Sequence, residues 1–386
     1  MINLHFTLNV NRNFDILRDD EYEVVREVAY HPLLDVLENL ELKTTLFLTG
    51  RTIDTMSQED PRFIERIQDL VKKDIVAVGN HTYGHPIMPL IEMEDAEKQI
   101  EFSQVAEKEF FGSTATAFYP PEFCTDPTLP YVMNRNNLTW MLLHNSNYLG
   151  AYGHAFEDMF KIGIVRGIKD SETQALTVYG DAEEWIRSQI HGVFEGAITP
   201  AEFFTGLIEK VKRETDSLDF NPLLCLYTDS ESPYFNYDTT NPSPVAHFQK
   251  AMELILASPE IRSVSASEVI EDSSIPRVDL NLKMRATYKP FDLWIIGSEK
   301  LDRLIDQART HVYEAQKKYP ADARINAMWK YFLLSQTSDA RSNLSERRME
   351  TRKVGRQMRH GNLERTLQAY DNAIKAKELA MEILHE

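Results

Sequence analysis

The chain has 386 residues, 42% of them hydrophobic and 10% aromatic, with a formal net charge of −18. That is enough apolar material for one barrel-sized domain and a smaller second one, and the acidity repels phosphate backbones, which argues against a nucleic-acid partner. The two cysteines, Cys124 and Cys225, exclude a disulfide framework and fit a reducing compartment.

The opening MINLHFTLNV alternates polar and apolar residues and lacks the basic start of a signal peptide. No apolar run reaches the length of a membrane span. A soluble, cytoplasmic protein with no membrane partner is therefore expected.

In chain order, INLHFTLNV (2–10) reads as a strand. The stretch from Tyr22 to Leu42 has helical spacing with a break expected at Pro32. TTLFLTG (44–50) is strand-like, PRFIERIQDLVKK (61–73) is an amphipathic helix with Pro61 in its first turn, and IVAVGN (75–80) is a strand. A long acidic helix follows over 92–112, closed by Gly112. TAFYP (116–120), LTWMLLH (138–144) and LLCLYT (223–228) are further strands.

Strand alternating with helix predicts right-handed crossovers and a parallel sheet, at this length a closed or nearly closed barrel. Residues just after the strands, where parallel barrels build their active sites, are Asn9, Asn11, His81, His85, Glu122, His144, Asp229 and Glu231. Beyond Pro276 the pattern changes to helices at 298–319, 328–339 and 365–386, with a basic stretch, 345–362, that reads as a solvated face. The expected domains are 1–275, a barrel, and 276–386, a helical domain.

Two chemistries compete for the strand ends. HTYGH (81–85) places His81 and His85 four apart where Gly84 and Pro86 oppose a helix, and its order in the chain resembles polysaccharide deacetylases. Those enzymes hold a divalent metal with two such histidines and an aspartate after the first strand. Here Asn9 and Asn11 stand in those places, and an amide neither takes a proton nor rivals a carboxylate as a ligand. Asp15, further along the loop, is the nearest substitute.

Alternatively, Glu122 in AFYPPEF and Asp229 in LYTDSESPYF form a carboxylate pair of the kind that cleaves glycosidic bonds without a metal or other cofactor. Tyr119, Phe123, Tyr227, Tyr234 and Phe235 lie around them, and aromatic rings stack on the apolar faces of sugars. Spacing alone leaves open whether such a pair retains or inverts. Trp140 and Trp185 read as core. No activated thiolate and no Ser-His-Asp order with a nucleophile elbow is evident, and 15 glycines disfavour a nucleotide site.

Several segments taken in order resemble family 57 glycoside hydrolases, retaining enzymes acting on α-glucans. DIVAVGNHTYGHPIMPLI (74–91) is similar to the family's second motif and aligns His85 with a histidine lining the sugar site. AFYPPEF is similar to the third, whose glutamate is the nucleophile, here Glu122. LYTDSESPYF is similar to the fourth, whose aspartate is the general acid/base, here Asp229. MWKYFLLSQTSDA is similar to a helical segment near the active site, matched by Gln336, Ser338 and Asp339.

The resemblance spans residues 1 to about 345 and implies an incomplete (β/α)7 barrel followed by a C-terminal helical bundle. Departures fall at Asn9, Val10 and Asn11 (His-Gln-Pro in the family), Ala77 (glutamate), Tyr119 (tryptophan), Pro233 and Tyr234 (glycine) and Ala340 (tryptophan). The implied function is a retaining glycoside hydrolase, amylase or glucanotransferase in type, on α-linked glucan. Substrate contacts are expected from Asn9, Asn11, His85, Tyr119, Glu231, Asp339 and His144. The alternatives are a carbohydrate-binding homologue with altered catalysis, and a metal-dependent deacetylase using His81 and His85.

Overall fold

The computed structural model describes residues 1–12, 17, 21–145, 155–179, 185–237, 240–281, 291–344, 352–354, 357–359 and 363–385. Asp15 and two thirds of the basic stretch 345–362 lie outside the described residues.

The barrel is a ring of parallel strands. Strand β1 (Ile2–Val10) pairs with β2 (Thr44–Leu48), β2 with β3 (Val76–Asn80), and β3 with β4 (Ala117–Phe118). β4 then pairs with β5 (Trp140–His144), β5 with β7 (Glu172–Val178), and β8 (Leu223–Asp229) returns to β1. The ring closes between β7 and β8 by the single pair Val178 and Cys225. This is the expected seven-stranded barrel, with its thinnest seam at that join.

Strand β6 (Ile162–Arg166) lies outside the ring, antiparallel to β7, and β10 (Arg277–Asn281) extends the sheet from β6. β9 (Ile261–Ser263) adds to β1.

The alternation in β1 sorts its two faces. Leu4, Phe6, Leu8 and Val10 join the core between sheet and helices. His5 points inward, where its ring meets Trp140 of β5 edge-on at 6.3 Å. Its ring nitrogens reach Thr45 Oγ1 at 3.1 Å and the Val264 carbonyl at 2.9 Å. Burial disfavours the imidazolium and pulls the His5 pKa down to about 4. Trp140 is buried, in keeping with its reading as core.

Three expectations change in detail. The break assigned to Pro32 appears one turn earlier, as a π-helical turn over Arg26–Tyr30 between the helices Tyr22–Val25 and His31–Leu40. Pro32 has no N–H to bond the carbonyl four residues back, so the preceding turn widens to release it. TAFYP yields only Ala117–Phe118 as strand, because the chain turns at Pro120 and Pro121. Strands β6 and β7, joined by a tight turn at 167–171, were not expected; Thr173, Thr177 and Val178 are the β-branched signal that marks β7.

Beyond the barrel, helices Glu299–Lys318, Ile325–Ser335 and Leu363–His385 form the helical bundle. Ala369, Ala373, Ala376 and Ala380 on the last helix are small enough to pack close against Trp329 and Phe332. Tyr83, from the HTYGH loop of the barrel, belongs to the same apolar cluster, so the bundle is docked on that loop. No helix among the described residues is long and apolar enough to cross a membrane.

Candidate active site

The C-terminal edge of the ring carries the expected residues. Register places Asn9 of β1 opposite Asp229 of β8. The Asn9 amide donates to Asp229 Oδ1 at 3.2 Å and to Tyr227 Oη at 3.4 Å. Tyr227 donates a short hydrogen bond to the same Asp229 oxygen, and its hydroxyl meets Tyr119 Oη at 3.1 Å. Burial, then the neighbouring Asp229 charge, push the Tyr227 pKa well above its ordinary value, so the phenol stays a donor.

Glu122 lies just past β4 in a left-handed backbone conformation, φ 55° and ψ 24°, and Phe123 follows at φ 52°. Consecutive non-glycine residues in that region cost free energy and persist only when surrounding packing holds them. Here Phe123 does the holding. Its ring packs 4.5 Å from Tyr119, 5.3 Å from Tyr227 and 5.1 Å from His144. Glu122 and Asp229, both half-buried, are thereby tied to one wall of aromatic rings, since Phe123 touches the tyrosine that bonds Asp229.

The HTYGH loop forms the opposite side. Asn80 Oδ1 accepts from Thr82 N at 2.9 Å, and the Thr82 hydroxyl accepts from His85 N at 3.0 Å. Thr82 and His85 are both left-handed, at φ 64° and 54°. Glu107, fully buried on the helix Met93–Phe111, takes the Asn80 amide at 2.7 Å, Ser103 Oγ at 3.1 Å and Ala115 N at 2.8 Å. Burial outweighs these donors and lifts the Glu107 pKa to about 7.

His81 is fully buried. Its ring lies flat on Tyr119, 4.2 Å between centroids and 8° between planes, and Nδ1 donates to the Tyr119 carbonyl at 2.7 Å. Burial, followed by the nearby His85, holds its pKa well below the usual value, so it is neutral with the lone pair on Nε2. The purpose that sequence left open for His81 is visible here: it is the platform under Tyr119.

His85 is engaged on both sides. Nε2 accepts from the Asn11 amide at 3.2 Å, and Nδ1 donates to Ser338 Oγ at 2.9 Å, with Asp339 Oδ2 at 4.0 Å. Backbone bonds reinforce this contact: Ser338 N donates to the His85 carbonyl at 2.8 Å, and Pro86 bridges Thr337. Gly84 permits the approach, because a Cβ there would stand 2.4 Å from the Leu333 carbonyl oxygen.

Gln336, one of the residues matched in the helical segment, accepts from Gln99 at 3.0 Å and donates to Asp95 at 2.7 Å. Asp95 is fully buried and receives Arg309 at 2.6 Å and Tyr313 at 2.8 Å.

Glu231 is buried and accepts from Tyr30 in a short hydrogen bond and from Asn11 N at 3.2 Å, so it orders the loop after β1. Tyr22 adds a bond to the Asn11 carbonyl at 3.2 Å. Tyr22, Tyr30 and Glu107 were missed as site residues; they stand far from any motif, and only the fold brings them in.

The deacetylase reading needs a set of metal donors at this edge. His85 has both ring nitrogens in hydrogen bonds, and His81 Nδ1 is bonded to Tyr119. Among the described residues no group of three His, Cys, Asp or Glu side chains is placed to share a metal ion. With amides at Asn9 and Asn11, these residues do not fit a hydrolytic metal centre.

The buried acceptors without a hydrogen-bond partner among the described residues include Asn9 Oδ1, Asn11 Oδ1 and His81 Nε2. These three belong to the edge where Glu122 and Asp229 stand. Buried acceptors left unmade cost roughly 1–3 kcal/mol each, which a hydroxyl-bearing ligand or water would relieve.

Known proteins share this fold. Residues 7–188 match the model of Glycosyl hydrolase family 57. An alpha-amylase of Pyrococcus horikoshii is 24% identical over 163 residues, 42% of this chain and 25% of that protein. Among solved structures, a 4-alpha-glucanotransferase from Thermococcus litoralis superposes with a TM-score of 0.71 at 15% identity, over 97% of this chain and 59% of that one. An alpha-amylase from Thermotoga maritima gives 0.70 at 12% identity, over 99% and 96%. The chain spans about a quarter of the length of the curated relatives it matches. The family model matches most of the barrel's ring, and the likeness of fold to the solved structures continues through the rest of the chain.

Proposed function

We propose that this protein is a retaining glycoside hydrolase or glucanotransferase acting on α-linked glucan, with Glu122 as nucleophile and Asp229 as acid/base. The observation that carries the reading is the pair of half-buried carboxylates at one barrel edge, linked through Phe123 and Tyr227. Relatives that are an alpha-amylase and a 4-alpha-glucanotransferase support the substrate class.

In the first step a Glu122 oxygen attacks the anomeric carbon, the glycosidic C–O bond breaks, and Asp229 gives its proton to the departing oxygen. In the second, Asp229 takes a proton from water or from an acceptor hydroxyl, whose oxygen displaces Glu122. Asn9 and Tyr227 both donate to Asp229 Oδ1. The same two donors stabilise the carboxylate left after transfer. Asn9 Oδ1, Asn11 Oδ1 and His81 Nε2 give the edge acceptors suited to a polyhydroxyl ligand.

The test is turnover of α-linked oligosaccharides by wild type and by Glu122→Gln, with calorimetric binding alongside. Turnover lost and binding kept in the variant is the expected result. Full activity in Glu122→Gln would remove that residue as nucleophile. Binding without turnover in the wild type would leave a carbohydrate-binding homologue, the reading that Asn9, Ala77 and Ala340 motivate.

A further inference from the structure

A polar cleft of about 410 Å³ opens between the start of the helix Gly50–Glu59, the turn at Thr337 and the last helix. Its volume falls in the range of roughly 300–1,000 Å³ that small-ligand sites occupy. Arg51, Tyr331, Thr337, Asp339, Asn372 and Lys375 line it.

Its charged side chains are Arg51, Arg365 and Lys375 with Asp339 and Asp371. Lys375 pairs with Asp371 at 2.6 Å. Arg365, also at the cleft, donates to Gln368 at 2.8 Å and to the Leu17 carbonyl at 3.1 Å. Two neutral groups at the cleft are without partners among the described residues. Thr337 Oγ1 is buried with no hydrogen-bond partner, and the half-buried Asn372 amide has none among the described residues. The half-buried ring of Tyr331 supplies an aromatic surface. A ring, an amide and a hydroxyl set among charges of both signs offer a polyhydroxyl compound both apolar and hydrogen-bonding contacts.

One wall of the cleft also belongs to the site. Thr337 bridges Pro86, and Asp339 stands 4.0 Å from His85. We infer that this cleft is a second saccharide-binding site, holding a remote segment of the glucan whose other part lies at the barrel edge; the inference rests on the function proposed above. Selectivity for longer chains then comes from contacts far from the bond that is cut.

The experiment is calorimetry on the Glu122→Gln protein, with and without Asn372→Ala, using an α-linked disaccharide and an α-linked heptasaccharide. The heptasaccharide should bind about three- to ten-fold more weakly when Asn372 is removed, the effect of one or two lost hydrogen bonds, and the disaccharide should be unaffected. Unchanged disaccharide binding also shows that the variant is folded. Equal heptasaccharide affinity in both proteins overturns the inference, as does equal weakening for both lengths. Inorganic phosphate binding that is tighter than the heptasaccharide and lost in Asn372→Ala would make this an anion site instead. If the Glu122→Gln protein binds neither saccharide, the proposed function fails and the cleft's role with it.

Discussion

The two sides of the candidate site are built differently. The Asp229 side belongs to the sheet: Asn9, Tyr227 and Asp229 lie on adjacent strands, and the β1–β8 register alone brings them together. The His85 side belongs to the helices docked from outside the barrel. His85 is held by Ser338, and the turn carrying Ser338 is held by Gln336, Asp95 and Arg309. A sheet register cannot slip without turning every side chain to the other face, whereas a docked helix depends on a few buried polar contacts. Asp229 is therefore rigid by construction, and the His85 side is the one that mutation of the bundle can loosen.

The largest expected effect ignores that division. Glu122→Gln should lower kcat by about 1,000-fold or more, measured on oligosaccharide turnover, with an unchanged thermal midpoint. Next, Arg309→Ala leaves buried Asp95 without its cation and should cost about 3 kcal/mol of stability, read by denaturant unfolding. It should also raise KM, while Asp229 chemistry persists in the fraction that is folded.

The pH dependence of stability separates two buried groups. His5 titrates near 4 when folded and near 6.5 when unfolded, so its contribution falls as pH drops from 6.5 to 4. Glu107 titrates near 7 when folded against 4.5 unfolded, so its contribution falls as pH rises from 4.5 to 7. Each is worth up to about 3 kcal/mol and they oppose one another between those limits. Glu107→Gln should therefore make stability climb more steeply from pH 4.5 to 6.5 than in wild type, measured as unfolding midpoint against pH. An unchanged slope would show that Glu107 does not titrate in this range.

Smaller effects bear on each side separately. Tyr227→Phe removes a donor to Asp229 Oδ1 and should lower kcat about ten-fold with little change in KM. Ser338→Ala removes the hydroxyl at His85 Nδ1 and should raise KM about three-fold with kcat nearly constant. If Ser338→Ala reduced kcat as much as Tyr227→Phe, the contrast between the two sides would not hold.

Much of the barrel was legible in the chain. β1, β2, β3, β5 and β8 are apolar runs ending at polar residues, and Asp60 with Pro61 and Gly112 mark helix ends where the structure has them. β7 was not legible, because ETQALTV mixes polar and apolar residues while being buried within a barrel wall. Glu122 and Asp229 could be named from the residues around them. Tyr30, Tyr22 and Glu107 could not, because each reaches the site from a helix whose own pattern only reports packing.

Sequence by itself determined the barrel class and supplied the two carboxylates on which the proposed chemistry rests, since periodicity and residue type are local properties of the chain. Tertiary structure alone decided that His81 supports Tyr119, that Asn9 and Tyr227 act on one oxygen of Asp229, and that the bundle closes over His85 through Ser338. Those are contacts between segments as much as 253 residues apart, and hydrogen-bond geometry across such separations exists only once the helices have packed.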